Sequence, residues 1–227
     1  TLPALAGGQS LADSSALVID ATDASITSVS STTADGSYKA GASITINVVF
    51  SKVVDVDTTG GTPTLTLETG STDRDAAYIS GSGTNTLSFS YTVQDGDTST
   101  DLNYKTATSL SLNGATIQDA IGNNATLTLP ALASGKSLAG ARTLAIDTTA
   151  PVITGPSGSA GAETSTLALG EGGTTVTQFT ANELVTWNLD AVHDHDLFTV
   201  DTSGNLSFKS AQTSRIHRIR IKTTATS

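Results

Sequence analysis

Between residues 44 and 50 the chain alternates: Ile44, Ile46, Val48 and Phe50 point one way, and Thr45 and Asn47 the other. The same period of two returns at Leu87, Phe89, Tyr91 and Val93 against Ser88, Ser90 and Thr92. Successive side chains of a strand face opposite sides, so each run predicts a strand with one face in a core and the other towards water. Shorter alternations at Leu65/Leu67, Leu110/Leu112, Leu127/Leu129 and Leu144/Ile146 predict further short strands. Between them lie turn clusters, Ala34-Asp35-Gly36-Ser37, Thr59-Gly60-Gly61-Thr62, Ser80-Gly81-Ser82-Gly83 and Asp95-Gly96-Asp97. There Gly supplies positive φ, and Asp or Ser bonds to nearby backbone. Many short strands, frequent turns and no helical period predict an all-β chain of tandem β-sandwiches without a long helix in the first of them.

A second regularity has a spacing of 127 residues. Residues 1–20, TLPALAGGQSLADSSALVID, return at 128–147 as TLPALASGKSLAGARTLAID, with Thr1, Leu2, Pro3, Ala4, Leu5, Ala6, Leu11, Leu17, Ile19 and Asp20 matching their partners. A period of that size is a whole domain, so residues 1–20 read as the terminal strands of a preceding repeat and 21–150 as one complete sandwich. Asp147-Thr148-Thr149-Ala150-Pro151 marks a boundary, because proline fixes its own φ and holds the residue before it extended. Beyond a Gly/Ser-rich passage, Val176, Phe179, Trp187, Leu189, Phe198, Val200, Leu206 and Phe208 need a core of their own and predict a second domain over 151–227.

Composition narrows the chemistry. Cysteine and methionine are absent, which excludes disulfides, thiolate metal sites and cysteine nucleophiles. Aromatic residues make up only 4% of the chain, so Val, Ile, Leu and Ala must build the cores. The formal charge of -10 is uneven: all 21 acidic residues lie at or before Asp201, while Arg215, Arg218, Arg220 and Lys222 crowd the C-terminus. An acidic body repels nucleic acid and anionic membrane and attracts hard cations such as calcium. No apolar run approaches the length needed for membrane insertion. No Ser/His/Asp arrangement or paired carboxylates can be assigned, and the chain is read as non-enzymatic.

Several separated motifs agree in order with one family. Tyr38-Lys39-Ala40-Gly41, Ile44-Thr45-Ile46, Phe50-Ser51, the passage from Tyr78 to Thr84, Leu87 to Val93, Leu112-Asn113-Gly114-Ala115, Asp119-Ala120-Ile121-Gly122-Asn123 and Asp147 to Pro151 together resemble a bacterial immunoglobulin-like repeat. Such repeats occur in giant surface adhesins and RTX-type secreted proteins, and the resemblance covers about residues 21–151. It departs at Lys52, where the family often carries an acidic residue. Residues of about 152–211, including Val176 to Glu183, Val185 to Leu189, Leu197 to Asp201 and Gly204 to Lys209, are similar to a bacterial cadherin-like domain. That family continues with an acidic Pro-Asp-Phe-Glu segment. Here Ala211-Gln212-Thr213-Ser214-Arg215-Ile216-His217-Arg218 stands instead, so the second sandwich reads as incomplete and the basic tail from about 212 as aberrant, the product of a shifted reading frame; the alternative is a genuine basic edge strand, Ile216 to Ile221, whose alternating charges protect it from aggregation.

Acidic loops at the ends of sandwiches supply the oxygen ligands that calcium takes. The candidates are Asp95, Asp97 and Asp101 in one loop, Asp119 with Asn123 in another, Asp20 and Asp147 at equivalent repeat ends, and Glu171 from the cadherin-like resemblance. The plainer reading is that such Asp and Asn residues form turns without a metal. His193-Asp194-His195-Asp196 offers spacing for a transition metal but no third ligand nearby, and reads as a polar loop. The resemblance implies a calcium-stabilised spacer or presentation module of an extracellular or cell-surface bacterial adhesin. Its expected partners are neighbouring repeat modules, copies of itself, or a cell-surface or glycan target. The alternative is a fibre subunit that assembles by β-strand exchange, since open sheet edges are templates for pairing.

Overall fold

A computed structural model of the chain describes residues 21–162, 164–168, 173–210 and 216–225. They divide into two compact units, with the boundary between Thr148 and Thr149. The described residues are nearly all β, 44% strand and 4% helix.

Unit 1 holds β1 (Ile26–Ser31), β2 (Gly36–Tyr38), β3 (Ser43–Asp57), β4 (Thr64–Glu68), β5 (Arg74–Ser80), β6 (Thr84–Thr92), β7 (Thr98–Ser99), β8 (Asn103–Tyr104), β9 (Leu110–Ser111), β10 (Thr116–Asp119), the single-turn helix α1 (Leu138–Ala141) and β11 (Leu144–Asp147). One sheet runs β1-β3-β6-β5-β4-β8, with β10 on β3 and β9 on β4; a second, β2-β11-β7, has β11 parallel to β2 and antiparallel to β7.

The alternation in the sequence sets the packing. Ile44, Ile46, Val48 and Phe50 of β3 are buried; the first three pair across to the buried Tyr91, Phe89 and Leu87 of β6, and Phe50 pairs with Ile26 of β1. β3 is longer than its first seven residues suggest, because the same parity continues through Lys52 to the buried Val54 and on to Val56. Lys52 fits this inward phase by lying along the apolar surface and extending its ammonium to the Thr22 carbonyl. The turn at Ser80-Gly81-Ser82-Gly83 needs glycine: Gly81 has φ 114°, and a Cβ there would stand 2.1 Å from the Thr86 carbonyl oxygen.

The segment 128–147 closes unit 1. Leu129, Leu138, Leu144 and Ile146 are all buried, each contributing about 1.5–3 kcal/mol relative to exposure. α1 starts at Ser137, whose buried hydroxyl accepts from the Gly140 amide at 3.1 Å as an N-cap.

The two ends of unit 1 lie apart. At one end Ser51 donates to the Ser25 carbonyl at 2.8 Å. At the other, the Thr148 hydroxyl donates to the Asp97 carbonyl at 2.9 Å, in the turn that follows Thr92, the partner of Ser43. The eight residue steps from Ser43 to Ser51 run along β3, and at about 3.3 Å per step they separate the ends by roughly 26 Å.

Unit 2 holds β12 (Ile153–Thr154), β13 (Thr175–Gln178), β14 (Thr180–Ala181), β15 (Val185–Leu189), a 3-10 turn at His195–Leu197, β16 (Phe198–Val200), β17 (Asn205–Phe208) and β18 (Ile221–Ala225). They form three small sheets, β12-β14, β13-β17-β16 and β15-β18. Phe198 and Leu206 are its fully buried apolar residues among those described, with Phe208 stacked on Phe198 at 4.4 Å between ring centroids. Part of the basic tail pairs within this unit. Residues 221–225 pair with β15 over five residues, and Arg220 and Lys222 bond to Asp190 at 3.3 and 2.7 Å.

Candidate functional site

The richest cluster of predicted residues is the turn after β6. Tyr91 faces inward by the parity of that strand, and six residues later the chain doubles back to bring Asp97 beneath it. The Asp97 carboxylate is 1% exposed. One oxygen accepts from the Tyr91 hydroxyl at 2.6 Å and the Gln94 amide at 2.8 Å; the other accepts from Arg74 Nε at 2.8 Å. Burial pulls its pKa upward, but the bonds from Tyr91, Arg74 and Gln94 outweigh that and hold it below the ordinary carboxylate value. Burial, then the bond to Asp97, pushes the Tyr91 phenol far up. With three donors directed at it, one of them a guanidinium, this carboxylate ties β5 and β6 to the loop. Its charge is matched inside the protein.

Asp119 and Asn123 do come together, but on each other. Asp119 Oδ1 accepts from the amides of Ile121 at 3.1 Å and Asn123 at 2.9 Å, and Oδ2 accepts from Asn123 Nδ2 at 3.1 Å. Burial raises its pKa, and the backbone and side-chain bonds from Asn123, the Ile121 amide and the nearby Lys52 more than reverse that. Lys52 Nζ lies 3.9 Å away, so a lysine ammonium supplies positive charge beside this carboxylate. Unit 2 repeats the device. Asp201 Oδ1 accepts from the Ser203 and Asn205 amides at 2.9 Å each, and Oδ2 from Asn205 Nδ2 at 2.8 Å. Both turns read Asp-x-x-Gly-Asn, with Gly122 at φ 91° and Gly204 at φ 79°. That shared spacing was the available signal that these residues close hairpins.

The remaining candidates are dispersed. Asp101 Oδ1 accepts from the Leu144 amide at 3.3 Å, and so holds the closing strand. Asp95 is exposed at the tip of the turn that contains Asp97, and Asp147 is exposed opposite Thr98 at the end of β11. Asp20 and Glu171 lie outside the described residues. Among the described residues no three His, Asp or Glu side chains are grouped so as to hold a metal ion.

In unit 2 the tail reaches the loop of His193 to Asp196. Asp194 and Arg218 exchange backbone contact, with Arg218 N also donating to Asp194 Oδ2 at 2.8 Å. His217 packs edge-on to Phe198 and Phe208 at 5.8 and 5.3 Å, with Nδ1 3.7 Å from Asp194. Buried Nδ1 of His195 and Nε2 of His217 have no hydrogen-bond partner. The tail thus supplies a core ring and a strand. A cleft of about 220 Å³ in unit 1 is lined by Lys52, Val53, Asp119, Ala120 and Ile121. Both oxygens of its one carboxylate already accept hydrogen bonds. No described helix is long and apolar enough to cross a membrane.

Compared with models of protein families, with curated proteins and with solved structures, the chain matches none.

Proposed function

We propose that this chain is a non-enzymatic segment of a bacterial extracellular repeat protein, an adhesin or surface protein, in which immunoglobulin-like modules act as spacers that present other domains. The observation that carries this is the polarity of unit 1. Its described chain enters at the Ser51 end and leaves at the Asp97 end, at opposite ends of β3, and its closing segment recurs in sequence 127 residues earlier. Units with ends so placed add length when repeated, and each makes its own core. The interior supports the same reading, since the charged groups that are buried there, Asp97 and Asp119, are spent on holding loops.

Calcium, in this reading, would act at the acidic loops of the exit end, where Asp95 and Asp147 are exposed. Antibodies raised against the chain should label intact cells of the bacterium that makes it, and shaving those cells with protease should remove the label. Recovery of the protein only from the cytoplasm would overturn the proposal.

A further inference from the structure

The pair Asn-Gly occurs once in the chain, at Asn113-Gly114. The two residues are exposed at the corner of the turn between β9 and β10, with φ 50° and 94°, and the turn is closed by the Ala115 amide donating to the Leu112 carbonyl at 2.9 Å. Asn followed by Gly suits a turn with positive φ at both central positions. The same pair leaves an asparagine carboxamide open to attack by the next main-chain nitrogen, because glycine puts no side chain in the way and the two groups are already tethered.

Two features of unit 1 decide what that chemistry does here. The carboxamide is tied down: Asn113 Nδ2 donates to the Thr62 carbonyl at 3.1 Å and to Thr64 Oγ1 at 2.9 Å, and Oδ1 accepts from the Ser111 hydroxyl at 2.8 Å. These bonds run to the turn before β4, to the first residue of β4 and back to β9, so the carboxamide must leave them before Gly114 N can reach its carbon. There is also no spare room. The main chains of the two turns meet without a side chain between them: a Cβ on Gly60 would stand 2.2 Å from the Gly114 carbonyl oxygen, and one on Gly61 1.8 Å from that of Asn113.

We infer that Asn113 is a site of spontaneous covalent modification by water, held in check by the contacts of the closed turn, and that its reaction loosens unit 1 irreversibly. When the turn opens, Gly114 N bonds to Asn113 Cγ, the Cγ–Nδ2 bond breaks, and ammonia leaves with the proton of the Gly114 amide. A five-membered cyclic imide remains. Water then adds to one of its two carbonyl carbons. Cleavage of the C–N bond at Cγ gives aspartate, and cleavage at the main-chain carbonyl gives isoaspartate, in which the chain runs through Cβ and Cγ. Neither product restores the closed turn. A carboxylate oxygen in place of Nδ2 meets the Thr62 carbonyl as acceptor against acceptor. Isoaspartate lengthens the main chain by one carbon where the close approach of Gly60 and Gly61 leaves no space for it.

The test follows mass along the chain. Full-length protein is held in mildly alkaline buffer, sampled over weeks, digested and fragmented, beside the variants Ser111→Ala and Thr64→Val and beside wild type in denaturant. Conversion adds one dalton and should collect at Asn113 ahead of the other asparagines, slowest in the folded wild type. A hydrogen bond of typical net strength shifts the opening of the turn about fivefold, so each variant should convert about fivefold faster. Ser111 is exposed and valine keeps the shape of Thr64, so unit 1 folds in both, which tyrosine dichroism verifies. The converted fraction, separated by its added negative charge, should melt about 3–8 °C lower by the same signal. Four results would each overturn the inference: no conversion at Asn113, folded wild type converting as fast as the denatured chain, variants no faster than wild type, or a converted fraction that melts with the unconverted one.

Discussion

Replacing Asp97 with asparagine should be among the most damaging single changes of polarity in unit 1. The side chain keeps its shape but loses its charge, and one acceptor oxygen becomes an NH2 group. If that group faces Arg74, two donors confront each other; if it faces Tyr91 and Gln94, the tyrosine hydroxyl can rotate to accept but the Gln94 amide loses its partner. A buried donor left unsatisfied costs about 1–3 kcal/mol, and loss of the charge opposite Arg74 brings the total to about 2–4 kcal/mol. With unfolding entropy near 2.1 cal/mol/K per residue over a unit of this size, that lowers its melting temperature by roughly 7–15 °C. All four tyrosines, Tyr38, Tyr78, Tyr91 and Tyr104, lie in unit 1, so near-ultraviolet dichroism of tyrosine follows that unit. The folded pKa of Asp97 is depressed, so its contribution is present above the unfolded value of about 3.9 and is lost as pH falls through the folded one. The gap between wild type and Asp97→Asn should hold between pH 5 and 7 and narrow in acid. A variant that melts with the wild type at pH 7, or a gap that persists unchanged in acid, would refute the assignment of Asp97 as the tie between these strands.

Three further outcomes follow from the same structure. Gly81→Ala forces a Cβ into the Thr86 carbonyl at positive φ and should destabilise unit 1 by about 2 kcal/mol or more, read from denaturant midpoints. Ending the chain at Ser210 removes β18, the partner of β15. Fluorescence of Trp187, the only tryptophan, should then report an unfolded second unit while the tyrosine signal of unit 1 stays unchanged. Removing calcium should lower the melting temperature of unit 1 through loss of linkage to its acidic exit end, and matching curves in calcium and in chelator would dismiss the ion.

The strands of unit 1 were legible because burial on one face imposes a period of two, and the inward residues named from β3 and β6 are the ones in the core. What alternation could not give was the identity of partners. Nothing local in the sequence links Arg74 to Asp97 across 23 residues, nor marks Lys52 as an inward position that escapes by the length of its side chain. The carboxylates named as calcium candidates are turn-rich by composition, and the same oxygens that attract a cation also satisfy backbone amides. Only the coordinates separate Asp97 and Asp119, already saturated, from the exposed Asp95 and Asp147. Nor could alternation show that basic side chains of the tail, Arg220 and Lys222, meet Asp190 some thirty residues earlier.

The spacer account is tested most directly by pulling the full chain from its two ends in a single-molecule force experiment. Unit 1 receives load at Ser25 and Thr148, on opposite ends of its long sheet. It should give one discrete unfolding event that releases about 400 Å of contour length, the extended reach of its chain less its folded span. Extension without such an event, or release in several small steps at negligible force, would contradict a load-bearing module.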